Sequence, residues 1–394
     1  MRMPLLDVAF YLLDSVRSPQ DFTFIFHLRD PPDIHRLEAG AGSAMNRFPK
    51  SGSCIVGRKW VRRGNTQFKI ERRTTAETFV DEPFDLEHQP PVKQALIGTR
   101  LVTRFHHAAA DGLSAALWLG HQLNVAYGME AVERERTPFI DLALRRCATS
   151  VRRSHFAFDK ASDVLWTSPA QRSGSRRWLT INFPSLQSAC RRRGGFTYND
   201  LLATCTLEVF SHWNRICSGR PYNKIGLWLP MNIRRESTAG FGNGTSRVRL
   251  YARYNGAASL IEKAREIRRQ VSWTTEHGEW AVPDISWLTR LPRSLTRPVL
   301  RGYLNRPSVD MATGVFSHAG SWIANAGEAF RHVEKIESVG LLHARQKLAV
   351  NAATHRGQTW LTFTYDRQEL SGDDVRRLAE MYEQQIASAQ QELL

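Results

Sequence analysis

The sequence predicts an α+β chain of two lobes, each a sheet covered by helices. Three observations carry this. The chain has 394 residues, which at roughly 100–200 residues per domain suits two domains or one two-lobed unit. Strand-like alternation and helix-like periodicity follow one another through both halves, the pattern of mixed sheets with helices packed on them. Between the halves runs "TSPAQRSGSRRW", whose Ser, Pro, Gly and Arg content suits an inter-domain linker. The expected division is a first lobe over 1–167, a linker over 168–177 and a second lobe over 178–394.

Taken in order, "DVAFYLLDSV" has helical periodicity and "DFTFIFHLRD" alternates like a strand. "DIHRLEAGAGSAMNRFP" is helical up to Pro49, and "CIVGRKWVRR" with "TQFKIERR" forms an expected strand pair. "ALIGTRLVTRFHH" is two strand pieces around a Gly-Thr turn. In the second piece Leu101, Thr103, Phe105 and His107 share one face, and Val102, Arg104 and His106 share the other. Asp111 then stands at a helix N-cap, with Leu113, Ala116, Leu117 and Gly120 following at helical spacing. In the second half "WLTINF", "KIGLWLPMNIRR", "SRVRLYARY" and "TGVFSHAG" are strand-like. "SLQSACRRR", "YNDLLATCTLEVFSHWNR" and "GAASLIEKAREIRRQV" are helical. A hairpin turns at His355-Arg356-Gly357, and a last helix is capped by Ser371.

Composition narrows the function. Hydrophobic residues make up 42% and aromatic residues 10% of the chain, ample material for packed cores. The formal charge is +16, and Arg dominates the basic residues. Such an excess attracts anionic partners: nucleic acid, lipid headgroups or a phosphate-bearing substrate. The arginines are dispersed, and there is no basic arm, zinc-finger spacing or basic zipper, so nucleic acid is not the expected partner. Cys54, Cys147, Cys190, Cys205 and Cys217 are odd in number and form no CxxC pair, which speaks against a disulfide framework or zinc ribbon. The opening "MRMPLLDVAFYLLDS" is interrupted by Asp7 and lacks a cleavage site. No stretch reaches the roughly 20 apolar residues of a membrane span. A cytoplasmic monomer, at most peripheral to a membrane, is the expectation.

The stretch "RFHHAAADGLS" carries the chemistry. Three readings fit its His-His-x-x-x-Asp-Gly spacing. A metal site would use His107 and Asp111 with His106, but no third ligand is evident and the two histidines point to opposite strand faces. A structural role would need only a satisfied histidine and an Asp cap. A general base would use a histidine, with an ordinary pKa near 6.5, to take a proton from an alcohol or amine beside an activated acyl group.

The same stretch resembles the HHxxxDG motif of the CoA-dependent acyltransferase superfamily. That group includes peptide-synthetase condensation domains, wax ester synthase/diacylglycerol acyltransferases, alcohol acetyltransferases and plant BAHD acyltransferases. The resemblance runs along most of the chain. "PLLDVAFYLLD" is similar to the opening D-x-x-F helix of wax-synthase-like members. "PFDLEHQPPVKQALI" resembles the segment before the motif in condensation-type members. "TYNDLLATCTL" resembles the ND helix, "LPMNIRRESTAGFGNGTS" the P-x-N-x-R…G-N segment, and "LTFTYDRQELSGDDVRRLAEMY" the C-terminal strand and helix.

The resemblance implies two chloramphenicol-acetyltransferase-like lobes forming a pseudo-dimer with a tunnel between them. It implies His107 as general base, with His106 supporting it and Gly112 giving the chain room to turn. Asp111 would be structural and paired with Arg234 of the other lobe. Asn243, Ser317 and His318, with Gly320 beside them, are the substrate-side candidates, the first three for the oxyanion of the tetrahedral intermediate. Two features depart from the wax-synthase pattern. His318 of "VFSHAGSW" stands where Asn is expected, and "PPV" at 90–92 replaces P-L-W. Both point away from wax ester or triacylglycerol synthesis and leave acyl transfer in place. The implied reaction moves an acyl group from acyl-CoA or an acyl carrier protein's phosphopantetheine to a hydroxyl acceptor, with no bound cofactor and no metal. Amide formation, or a non-catalytic binding module on the same fold, are the alternatives.

Overall fold

The structure, a computed structural model, describes residues 3–62, 67–129, 165–167, 173–218, 225–234, 241–252, 258–278, 291–304, 312–320, 327–342 and 346–393. Cys147 and positions 168–172 of the expected linker lie outside the described residues.

The first lobe is a five-stranded sheet with helices on both faces. Its strands are β1 (Asp21–Leu28), β4 (Glu71–Arg72), β5 (Val92–Ile97), β6 (Arg100–His106) and β11 (Val333–Val339), in the order β11-β1-β6-β5-β4. On one face α2 (Ile34–Arg47) and α4 (Gly112–Ala126) bury Leu37, Ala41, Trp118, Leu119 and Leu123 against Phe22, Phe24, Leu101 and Phe105. A Cβ at Gly40 would fall 2.4 Å from the Gln122 carbonyl oxygen, so glycine is what lets α2 lie this close to α4. On the other face α3 (Ala76–Asp81) packs Ala76, Phe79 and Val80 on Ile25, Ala95 and Val102.

The second lobe is a six-stranded sheet made of β7 (Arg176–Pro184), β8 (Ile225–Asn232), β9 (Thr245–Ala252), β10 (Gly314–His318), β12 (Leu348–His355) and β13 (Gln358–Asp366). Their order is β7-β13-β12-β10-β8-β9, with β10 parallel to both neighbours. Three helices, α6 (Tyr198–Ser218), α7 (Leu260–Glu276) and α9 (Gly372–Leu393), share a core with it, including Leu201, Phe210, Ile267, Phe316, Phe363 and Tyr382. The expected β12–β13 hairpin forms, with Arg356 (φ 52°) and Gly357 (φ 74°) supplying two left-handed residues for its turn. Ser371 caps α9, its hydroxyl accepting from the Asp374 amide at 3.0 Å. The short α5 (Gln187–Arg193) and α8 (Arg293–Leu304) complete the helices, with α1 (Leu5–Leu13) packed against α8.

Some expectations fail for identifiable reasons. "CIVGRKWVRR" does not pair with "TQFKIERR". It folds back on itself as β2 (Ser53–Val56) and β3 (Lys59–Arg62) because Gly57, at φ 63°, allows a two-residue turn. Phe68 and Ile70 enter the core instead, and only Glu71–Arg72 add to the sheet, parallel to β5. α4 buries Ala115, Trp118, Leu119 and Leu123 as well as the expected Ala116 and Gly120, while Leu113 and Leu117 are only half-buried. The helix is covered on most sides, so its sequence has no clear apolar face to read.

The lobes are not separable at one point in the chain. β7 begins at Arg176, inside the stretch with linker composition, and β11 crosses from the second half to pair with β1. The Arg176 guanidinium, buried, donates to the Asp21 carbonyl at 2.9 Å and to its carboxylate at 3.0 and 3.1 Å. Arg104 Nη2 meets the same carboxylate at 2.9 Å. Burial opposes ionisation of Asp21, but the two guanidinium groups outweigh it and hold the carboxyl below its usual range.

Candidate active site

The site grows out of the alternation of β6. Phe105 points into the core beneath α4, and His107, two residues on, follows it to that side. There the His107 ring lies 4.6 Å from Phe22 and stacks on Phe10 of α1 at 4.7 Å and 19°. Its backbone N–H donates to the Gln20 carbonyl at 2.8 Å. His106 points the other way, edge-on to Phe84. Its Nδ1 accepts from the Ala108 amide at 3.0 Å, which leaves the proton on Nε2, 3.5 Å from Asp14. His106 is fully buried and is tied to the loop by this bond to the Ala108 amide.

Asp111 caps α4 as expected, accepting from the Ser114 amide at 3.0 Å. Its carboxylate also bridges the lobes. Arg234, just past β8, donates to it at 2.7 Å, and the Gly244 amide and Thr245 hydroxyl at the start of β9 donate at 2.8 and 2.7 Å. Burial opposes the charge on Asp111, but Arg234 and these donors overcome it and pull the carboxyl down to about 2. Arg234 also donates to the Ser114 hydroxyl and the Gly242 carbonyl at 2.9 and 2.8 Å.

Gly112 does not serve as the sequence suggests. Its φ is outside the left-handed region and a Cβ there would meet no atom within 4 Å, so the turn does not require glycine. Glycine is required instead at Gly244, where a Cβ would lie 2.5 Å from Arg234 Cγ.

Asn243 is brought to His107, but not as an open donor. Both hydrogens of its amide are used, one on the His107 carbonyl at 2.6 Å and one on Asp7 Oδ1 at 2.9 Å. It has none left for an oxyanion. Asp7 in turn accepts from Lys50 Nζ at 2.6 Å and Trp60 Nε1 at 2.9 Å. Asp7, Phe10, Phe22 and Lys50 are the neighbours that sequence reasoning missed. The only available signal was the D-x-x-F spacing of Asp7 and Phe10, which puts both on one helix face.

The substrate-side candidates on β10 have their own environment. His318 Nε2 is 2.9 Å from the Thr354 hydroxyl, which meets Thr359 at 3.1 Å, and Thr359 meets the Tyr198 hydroxyl at 2.9 Å. The His318 ring is edge-on to Tyr198. A Cβ at Gly320 would fall 2.4 Å from His318 Nε2, so the glycine makes room for that ring. Ser317 is half-buried opposite Asn351 of β12.

Burial pushes both His107 and His318 down to about 4. For His107 the Asp111 carboxylate partly offsets this and His106 adds to it. Both rings are therefore neutral near pH 7. A neutral imidazole has a free lone pair, which is what a proton acceptor needs. Among the described residues no cluster of three or more His, Cys, Asp or Glu side chains is arranged to hold a metal ion.

No protein family's sequence profile matches the chain, and no curated protein is similar enough in sequence to stand as a relative. Solved structures of the same architecture span nearly its whole length. The condensation domain of the monacolin K polyketide synthase MokA superposes with a TM-score of 0.61 at 11% identity, over 98% of this chain and 97% of that one. The EpoB cyclization-docking bidomain from Sorangium cellulosum gives 0.67 at 14%, over 97% and 83%. The chain has the condensation-domain fold. Polyketide synthase associated protein 5 from Mycobacterium tuberculosis shares this fold, with a TM-score of 0.65 at 12% identity over 97% of this chain and 96% of that one. The condensation fold of two chloramphenicol-acetyltransferase-like lobes agrees with the architecture read from the sequence. Among the described residues no helix is long and apolar enough to cross a membrane.

Proposed function

We propose that the protein is an acyltransferase that moves an acyl group from a thioester to a hydroxyl acceptor, with His107 as general base. The observation that carries the reading is the state of His107. It is neutral, set at a strand-to-helix junction between two rings, and braced from the second lobe through Asn243 and through Arg234–Asp111. In this mechanism His107 takes the acceptor's proton as the acceptor oxygen attacks the thioester carbonyl. The carbon–sulfur bond breaks, the acyl group passes to the acceptor oxygen, and the proton ends on the departing thiolate. A positioned base of this kind supplies roughly 10²–10⁴-fold, and holding both substrates side by side supplies much of the rest.

The donor we assign is acyl-CoA or the acyl-phosphopantetheine arm of a carrier protein. The net charge of +16 favours either phosphate-bearing group. Substrates would enter between the two lobes, which the buried Arg234–Asp111 pair holds together. Amide formation is the second reading. It is favoured by a solved neighbour of 0.69 TM-score that is described as a nonribosomal peptide synthetase.

The test is thiol release from short and long acyl-CoAs and from an acyl-loaded carrier protein, with alcohols or amines added. Acceptor-dependent release supports acyl transfer, and the better acceptor class decides between ester and amide. Silence with every donor, together with capture of a defined carrier protein, would make this a binding module.

A further inference from the structure

Asp7 and Lys50 are a carboxylate and an ammonium taken almost wholly out of water, 0% and 6% exposed. Burying such a pair costs desolvation energy and needs good geometry to be tolerated. Here the geometry converges on Asn243. Lys50 and Trp60 hold one oxygen of Asp7, at 2.6 and 2.9 Å, and the other oxygen accepts from Asn243 at 2.9 Å. The second amide hydrogen of Asn243 goes to the His107 carbonyl at 2.6 Å. Both partners are pure acceptors, so Asn243 cannot turn over: the flipped amide would set its oxygen against a carboxylate and a carbonyl. Its Oδ1 is therefore fixed in direction, and it is buried without a hydrogen-bond partner. Nδ1 of His107, the residue whose carbonyl Asn243 holds, is in the same condition.

We propose that these two unpartnered atoms are the halves of one hydrogen bond. Nδ1–H of His107 donates to Oδ1 of Asn243, and Nε2 is thereby left unprotonated as the nitrogen that faces substrate. Asp7 and Asn243 are positioning residues; neither takes or gives the proton. α1 then does two things from one face. Asp7 orients Asn243, and Phe10, one turn on, stacks on the ring whose tautomer Asn243 sets. The Asn243 side chain also favours the protonated ring, so the same bond strengthens as His107 gains its proton. The other groups acting on the ring are Asp111 and Asp21, which favour its charge, and His106, which opposes it. The consequence for turnover rests on the reading of His107 as base; the hydrogen bond itself does not.

The experiment is two-bond ¹H–¹⁵N NMR on the full chain labelled at histidine, with the His107 signals identified by their loss in His107→Gln. The wild-type spectrum is expected to show the Nδ1–H tautomer. In Asn243→Ala and in Asp7→Asn it should move toward Nε2–H, with the His107 titration displaced to lower pH. In the acyl-transfer assay kcat should then fall roughly 10- to 100-fold, part of what a positioned base supplies, with KM little changed. An Nε2–H tautomer in the wild type overturns the proposal even if neither variant folds, and so does an unchanged tautomer in both folded variants. The Nδ1–H tautomer in a protein that transfers no acyl group would overturn the proposed function and leave this pairing standing.

Discussion

Arg234 Nη2 lies 2.7 Å from Asp111 Oδ1, and the two residues, 123 positions apart, come from opposite lobes. Both are about 2% exposed at the side chain. A charge-assisted pair so placed is geometrically specific and leaves a costly orphan when one side is removed. It sits four residues past His107, so the clamp that joins the lobes also fixes the loop carrying the candidate base.

Asp111→Asn should therefore cost about 3–5 kcal/mol in urea unfolding, because the buried Arg234 loses its counter-charge. The acid behaviour follows from sign. The Asp111 carboxyl is lowered from 3.8 to about 2 in the fold. Its contribution is complete above pH 3.8 and is lost as pH falls toward 2. A double variant with Arg234→Met should cost clearly less than the sum of the single changes. Additive losses would show that the pair is not coupled.

Two glycines near the clamp should behave in opposite ways. Gly244→Ala would press a methyl to 2.5 Å from Arg234 Cγ, and Arg234 is tied down at its far end. The expected cost is about 1–3 kcal/mol. Gly112→Ala meets open space at the start of α4. It should leave stability unchanged or raise it by about 0.4–1 kcal/mol. Thermal melts of both variants check this, and a loss of activity confined to Gly112→Ala would mark that space as used by substrate.

The histidines set a different pH window. Burial lowers His107 and His318 from 6.5 to about 4, so near pH 5 the unfolded chain binds protons there and the native chain does not. Their contribution is full above pH 6.5 and declines as pH drops toward 4. Urea midpoints between pH 8 and 4.5 should fall for the wild type and fall less for the double variant His107→Gln/His318→Gln. Equal slopes would mean that neither ring is held neutral. For the same reason the acid limb of kcat/KM should lie near pH 4 rather than 6.5.

The local part of this site was legible in the sequence. Strand alternation placed His106 and His107 on opposite faces, and an Asp before an apolar run announced the cap of α4. Arg234 was reachable through the motif's resemblance, because an ion pair leaves matching residue types in two segments. The bond between Asp7 and Asn243 was not reachable, since 236 residues separate them and a single hydrogen bond leaves no periodic trace. β11 was missed for a related reason. "VEKIESV" buries Val333, Ile336, Glu337 and Val339, and a register shift opposite His27/Leu28 breaks the two-residue rhythm by which a strand is recognised. The linker composition of 168–177 misled at its end, because Arg176 looks like a surface residue until Asp21 is seen beside it.

Replacing His107 with Ala and measuring acceptor-dependent thiol release from the best acyl donor, with folding checked by circular dichroism, decides whether this histidine is the base. The expected result is a folded variant whose transfer rate falls by roughly 10²–10⁴-fold while donor binding persists. A folded His107→Ala protein within a few-fold of wild type would contradict it, because the proposed reaction assigns the acceptor's proton to this ring alone.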